Sequence, residues 1–347
     1  MPPLPLTGFL PEEINRVFEL SPPFRGRQIF RAVWKEGIPI RAMTVLPKSL
    51  RERLDTETSL SLCTVLRRDE DEDGTVKLLV RCPGHESPAG TGPAAVETVI
   101  LTDGTGRRTV CVSTQAGCAM GCGFCKTGTL GLTRNLYAYE ITEQYRLAEE
   151  HGGEIDSLVF MGMGEPLANL GEVRRAIAIL SHPLGLEMSL RRMTVSTCGI
   201  IDGIRELTRE GPKVRLAVSL ITAEQETREH LMPIARSNRL DDLKSALTEY
   251  QASGGKRLTL EYVLIPGVND TERSVGALES FVRPLKAVVN VIPWNPVPEL
   301  DFRSPESGEI ESFLAELDAA HITYTRRYTR GRGIGGACGQ LGGDLLA

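Results

Sequence analysis

Apolar positions change their spacing along the 347-residue chain. Between residues 9 and 60 they recur three and four apart: Ile14, Val17 and Phe18, then Ile29, Phe30, Val33 and Trp34. That spacing gathers them on one face of a helix. Pro11 and Pro47 stand where two of these helices would open. From 61 to 110 the apolar residues form short β-rich runs at 62–66, 76–80 and 96–101. The acidic stretch Asp69–Gly74 between the first two reads as a hairpin turn. Residues 83–95, with their Gly and Pro, read as a surface loop.

From about residue 108 a strand-then-helix order repeats. Strands are expected at 108–113, 156–161, 192–197, 213–219, 257–264 and 287–292, and helices at 137–150, 170–181, 200–210, 240–252 and 272–284. Strands alternating with helices imply a parallel sheet with right-handed crossovers. Six units are fewer than the eight of a closed barrel of about 250 residues. The expected fold class is therefore α/β: an open, partial (β/α)6 barrel behind a small N-terminal helical accessory domain. A helix at 306–319 and a strand at 322–327 would close it. The expected divisions are a helical domain at 1–65, a β-hairpin region at 66–107, the barrel at 108–330 and a Gly-rich tail at 331–347.

Composition changes this picture little. No apolar run approaches the roughly 18 residues of a membrane span. The first residues lack the basic and apolar regions of a signal peptide, so the expected location is the cytoplasm. The net charge of −5 gives no overall attraction for nucleic acid. Two local basic patches, Phe24–Arg31 and Arg326–Arg332, are the candidates for phosphate contact, although a patch of this kind is more often a solvated face.

The cysteines carry the chemistry. Cys118, Cys122 and Cys125 stand at C-x3-C-x2-C spacing, separated by small residues. Such a loop can present three thiolates to three irons of one [4Fe–4S] cluster, where four Cys ligands are usual. The fourth iron would stay open to a small molecule, the arrangement expected for S-adenosylmethionine and radical chemistry. A structural zinc loop is the alternative, but it needs a closed set of four ligands. The cluster loop follows the first barrel strand, and catalytic groups in such barrels gather at the C-terminal strand ends. Later strands end in Gly162–Pro166, Ser196–Gly199, Ser219-Leu220 and Pro293–Pro296. Gly permits close backbone approach, and Ser and Asn supply hydrogen bonds. Cys63, Cys82 and Cys198 read as buried thiols. Cys338, set among glycines in the tail, is poor core material and reads as a reactive thiol. Cys111 lies on the strand that leads into the cluster loop.

These motifs resemble the radical SAM methyltransferases of the RlmN/Cfr type, and the dual-specificity RlmN branch most. The resemblance covers nearly the whole chain. It rests on Arg25–Phe30, Val96–Val99, the cysteine loop with Gly131-Leu132 and Arg134–Leu136, Gly162–Leu167, Leu231–Ile234, Glu261–Val263, Val268–Asp270, Ile292–Pro296, Thr329–Gly331 and Ala337–Leu341. It implies a radical SAM barrel with Cys118, Cys122 and Cys125 on one [4Fe–4S] cluster. Gly164, Glu165, Ser196, Ser219 and Asn295 would contact S-adenosylmethionine. Cys338 would be methylated during turnover, with Cys111 as its thiol partner. Glu97 would be the proton-accepting carboxylate, although it lies one residue further from the cluster than is usual.

The implied reaction is methylation of adenine C2 in 23S rRNA, with a tRNA adenine as second substrate and two S-adenosylmethionine molecules per turnover. The rival within the family is C8 methylation of the same base. The other classes weighed are a glycyl-radical activase, which has no use for Cys111 and Cys338, and a non-catalytic metal-containing RNA-binding protein. The resemblance also implies an electron donor such as flavodoxin or ferredoxin, and a monomer. Three positions depart from the family pattern. Ile221-Thr222 stand where His-Ala is usual, Gly335-Gly336 where an Asp-Ala type pair is usual, and Lys126 where a small residue follows the third cysteine.

Overall fold

The computed structural model describes residues 3–84, 92–254 and 257–343. Its strands are β1 Leu4–Pro5, β2 Thr58–Ser59, β3 Thr64–Glu70, β4 Val76–Cys82, β5 Ala94–Thr102, β6 Arg108–Cys111, β7 Gln115–Cys118, β8 Gly131–Asn135, β9 Ser157–Phe160, β10 Met193–Thr197, β11 Arg215–Ser219, β12 Leu258–Leu264, β13 Ala287–Pro293 and β14 Tyr324–Arg326. Its α-helices are α1 Pro11–Val17, α2 Phe24–Arg31, α3 Lys48–Glu57, α4 Lys126–Thr129, α5 Ala138–Gly152, α6 Leu170–Leu180, α7 Ile201–Glu210, α8 Gln225–Leu231, α9 Leu240–Ala252, α10 Glu272–Val282 and α11 Ser307–Ala319.

One ten-stranded sheet dominates, in the order β14-β13-β12-β11-β10-β9-β6-β5-β4-β3. From β6 to β14 every neighbouring pair is parallel. From β6 back to β3 every pair is antiparallel. The alternating strand and helix pattern thus yields the expected open parallel barrel, and the hairpin strands extend the same sheet. Leu158, Phe160, Val195, Leu216, Val218, Leu260 and Val291 are buried along the parallel strands. Each such side chain contributes about 1.5–3 kcal/mol when fully withdrawn from water. The loop expected at 83–95 falls largely outside the described residues.

The N-terminal helices dock on α5 and α6. Arg175 on α6 donates to the Gly8 carbonyl and to Glu13. Thr7 donates to Glu143 on α5 at 2.6 Å. Gly26 lets α2 cross α1 closely, since a Cβ there would lie 2.1 Å from the Pro11 carbonyl oxygen. Its N–H donates to Asn15 Oδ1 at 2.7 Å. Arg25 turns inward, onto Gln28 and the Val45 carbonyl. The Arg25-Gly26 motif therefore serves local packing, and two neutral acceptors occupy the Arg25 guanidinium.

Candidate active site

The loop that carries the cysteines begins as a strand. β7 pairs antiparallel with β8 in a small separate ribbon, an element the spacing of apolar residues does not reveal. Gly117 has a φ of +78°, and a Cβ on it would meet the Gly131 carbonyl oxygen at 1.9 Å. Only glycine fits there. Thr114 N–H donates to the Met163 carbonyl, and Met163 N–H to Ser113 Oγ. These bonds seat the cysteine loop against the glycine-rich loop that follows β9.

Two adjoining cavities open at the C-terminal ends of the strands. The larger, of about 970 Å³, is lined by Cys118, Cys122, Cys125, Gly164, Glu165, Ser196, Ser219, Glu261 and Cys338, among others. The second, of about 730 Å³, is lined by Cys111, Cys125, Asn295, Arg327 and Cys338. The first has the size of a small-ligand site. Of the residues singled out in the sequence, ten line one cavity or the other. Glu97 lines neither. Its buried carboxylate accepts the Gly342 N–H at 2.6 Å and faces Lys77 at 3.4 Å. It shares a strand face with Val99 and Leu101, which do line the second cavity.

The tail is not the free arm that its glycines suggest. Gly331 and Gly333 N–H groups donate to Asp73 and Asp71 in the β3–β4 turn, both at 2.9 Å. Lys126 N–H donates to the Gly339 carbonyl, Gln340 to the Pro296 carbonyl and Thr127 to the Leu341 carbonyl. Asn295 Nδ2 donates to the Cys338 carbonyl at 3.0 Å. The acidic turn, read in the sequence only as a hairpin signal, thus anchors the base of the segment that carries Cys338.

Burial sets the charge state of the thiols. It pushes Cys111 up to about 12, with the neighbouring Cys338 adding to the shift. It pushes Cys118 up to about 11 and raises Cys122 and Cys125 as well. Without metal these are neutral thiols, and ligation would release their protons. Glu165 is also raised by burial, while the Cys198 and Leu167 N–H groups hold its carboxylate at 2.7 and 2.9 Å.

The donor set fits an open-cornered cluster and its ligand. Among the described residues no three His, Cys, Asp or Glu side chains converge on a single ion. Three thiolates that each take a different iron of a cube need not converge in that way. Asn295 Oδ1 is buried without a partner, an acceptor that a ribose hydroxyl or an ammonium group would satisfy.

Several residues here escape sequence reasoning. Arg228, on α8, is fully buried and donates to the Cys198 and Leu220 carbonyls, joining two strand ends of the site. An arginine on a short helix gives no sequence signal for this. Ile221 adopts a φ of +65° inside the larger cavity. That conformation costs a β-branched residue about 1–2 kcal/mol. It is held by Ile221 N–H on the Glu261 carbonyl and by Asn269 Nδ2 on the Ile221 carbonyl. Lys126, another departure from the family pattern, is buried and paired with Glu299 at 2.5 Å. Arg327, read as part of a basic patch, instead lines both cavities.

The parallel barrel with three cysteines at its strand ends defines a radical SAM protein, and the Radical SAM superfamily pattern matches residues 112–275. The chain is 45% identical over 337 residues to the probable dual-specificity RNA methyltransferase RlmN of Treponema pallidum, covering 97% of both chains. It is 42% identical to the dual-specificity RNA methyltransferase RlmN of Syntrophobacter fumaroxidans, covering 96% of this chain and 95% of that one. The crystal structure of a radical SAM methyltransferase from Sphaerobacter thermophilus superposes with a TM-score of 0.88 at 40% identity, over 98% of this chain and 99% of that one. The chain belongs to the RlmN family of dual-specificity RNA methyltransferases. No described helix is long and apolar enough to cross a membrane.

Proposed function

We propose that the chain methylates C2 of an adenine in 23S rRNA, and an adenine in tRNA, through a methylated Cys338. The observation that carries this reading is the position of Cys338, which lines both the cavity of the three cysteines and the cavity of Cys111. A tail thiol placed between these two sites has no use in an enzyme that only cleaves its cofactor. The same position argues against a purely structural metal loop.

In this reading Cys118, Cys122 and Cys125 hold a [4Fe–4S] cluster. Gly164, Glu165, Ser196, Ser219 and Asn295 surround S-adenosylmethionine. Cluster and cofactor together supply one-electron cleavage to an organic radical that abstracts hydrogen. The chain's own groups do the rest. The Cys338 thiol loses its proton as its sulfur accepts a methyl group; that methyl then loses one hydrogen atom, and the resulting carbon radical is presented to the base. Bond formation puts the ring carbon on the Cys338 methylene. The adduct gives up its unpaired electron, for which the oxidised cluster would be the acceptor, and the ring proton leaves; the Cys111 sulfur then attacks the Cys338 sulfur, the displaced methylene takes a proton to become the methyl group, and a disulfide remains for an external reductant to reopen. Glu97 is the proposed proton acceptor. The adenine must leave its stack to reach Cys338.

The test is anaerobic reconstitution with iron, sulfide and a reductant such as reduced flavodoxin, followed by methylation of 23S rRNA fragments and tRNA and mass spectrometry of the nucleosides. 2-Methyladenosine supports the reading. 8-Methyladenosine assigns the C8 branch, and unmodified RNA overturns both.

A further inference from the structure

After β14 the chain does not turn away from the site. Arg327 N–H continues the sheet ladder onto the Val291 carbonyl. Residues 327–330 then line the second cavity together with Val99 of β5 and Cys111 of β6. The open edge of the partial barrel is thus bridged by Arg327-Tyr328-Thr329-Arg330, and Gly331 is fastened beyond it to Asp73. Within this bridge Tyr328 is unusual. It is 72% exposed, and the other exposed aromatic among the described large apolar side chains is Phe24, at 49%. Phe24 lies on α2, far from this lining in sequence and absent from it, whereas Tyr328 belongs to the wall that includes Cys111 and Cys338. One face of its ring meets the Arg326 guanidinium, 5.3 Å from the ring centroid. Arg326 is itself fixed by an ion pair to Glu311.

An aromatic ring with an arginine behind it and water in front is poor packing material. It is a good surface for a nucleobase, since bases stack on aromatic rings whatever their identity. The reacting thiols belong to the same cavity and are far less exposed than this ring. An adenine delivered to Cys338 must pass the rim, and the nucleotide next to it in the strand then remains outside.

We propose that Tyr328 is a stacking platform for the RNA base that flanks the extruded adenine, with Arg326 holding the ring in place. This rests on the RNA-methylating function proposed above. It adds a residue that the cofactor chemistry does not require, and so concerns recognition of RNA alone.

The experiment compares reconstituted wild type, Tyr328→Ala and Tyr328→Phe on an RNA stem-loop that contains the target adenine. A second RNA carries 2-aminopurine beside the target. Tyr328→Ala should raise the KM for RNA about tenfold, a loss typical of one base-stacking contact, with the change falling on KM rather than kcat. Tyr328→Phe should behave as wild type, because the ring and not the hydroxyl makes the contact. Quenching of the 2-aminopurine on binding should be retained by Phe and lost in Ala. Wild-type KM and quenching in Tyr328→Ala overturn the inference, as does a Phe variant as weak as Ala. If wild type leaves the RNA unmethylated, the RNA reading itself fails; the inference fails alone when wild type turns over and Ala matches it.

Discussion

The side-chain amide of Asn295 donates to the carbonyl oxygen of Cys338 at 3.0 Å, while its Oδ1 lies buried without a partner. One residue just beyond β13 therefore faces two ways: it holds the backbone of the residue that bears the tail thiol and offers an acceptor within the site. Asn295→Ala should lose both functions. A hydrogen bond of this kind is worth about 0.5–1.5 kcal/mol, so Cys338 should react with iodoacetamide several-fold faster in the variant. Binding of S-adenosylmethionine should weaken in parallel. Asn295→Asp keeps an acceptor and loses the donor, and should free the thiol while retaining more of the cofactor affinity. Alkylation followed by mass spectrometry, together with equilibrium dialysis, separates the two effects.

The two isolated cysteines should fail differently. In the proposed reaction Cys338→Ala removes the sulfur that would carry the methyl group, so RNA methylation should vanish while slow cofactor cleavage continues. Cys111→Ala leaves the proposed methyl carrier intact and removes the thiol that would release the product. That variant should accumulate RNA covalently attached through Cys338, visible as a slow band on a denaturing gel. Full methylation by Cys338→Ala would end the proposed mechanism.

The cysteine triplet and the strand-helix alternation are legible in the sequence because both obey short, regular spacings. The triplet lies within eight residues, and every expected barrel strand appears at its place. What the sequence conceals depends on contacts between distant segments. Arg25 and Arg327 look alike as members of basic patches, yet one donates to the Val45 carbonyl and the other lines the cavities. The glycines of the tail suggest freedom, and it is removed by tail N–H groups that donate to Asp71, Asp73 and Glu97 and by Asn295, which donates to the Cys338 carbonyl. None of these pairings leaves a periodic trace. The short helix that carries Arg228 and the β7–β8 ribbon are missed for a related reason: each is too brief to establish a period.

Glu143 offers a test by pH. Its buried carboxylate accepts from Thr7 Oγ1 at 2.6 Å and from the Leu62 and Cys63 N–H groups at 2.8 and 2.7 Å. Burial still outweighs these bonds and raises it above the ordinary value of 4.5. A carboxyl raised in the folded state binds its proton more tightly there than in the unfolded chain. Its contribution to stability is therefore complete below about 4.5 and is lost as the pH climbs through the folded value. Glu143→Gln is nearly isosteric and does not ionise. The stability of wild type relative to this variant should fall as the pH rises from 4 toward 7, and urea unfolding across that range measures it. A difference that stays constant with pH would show that the carboxyl does not titrate in this way.

Arg134 and Glu140 form a buried ion pair beside the site. Both guanidinium nitrogens, Nη1 and Nη2, reach the carboxylate at 2.7 Å. The same side chain also donates to the Cys82, Asn135 and Gly92 carbonyls. It ties β4 to the segment between β8 and α5, and so fixes the frame beneath the cysteine ribbon. Arg134→Lys keeps the charge and loses the planar fork, which a point charge cannot replace. It should unfold at a clearly lower temperature. Arg134→Met leaves a buried carboxylate without its partner and should cost about 3–5 kcal/mol. Removing the carboxylate as well, in Arg134→Met with Glu140→Leu, should recover much of that loss, because two apolar side chains carry no desolvation penalty. Differential scanning calorimetry of the four proteins measures this ranking. A double variant no more stable than Arg134→Met would mean that the backbone contacts of Arg134, rather than its charge partner, hold this part of the fold together.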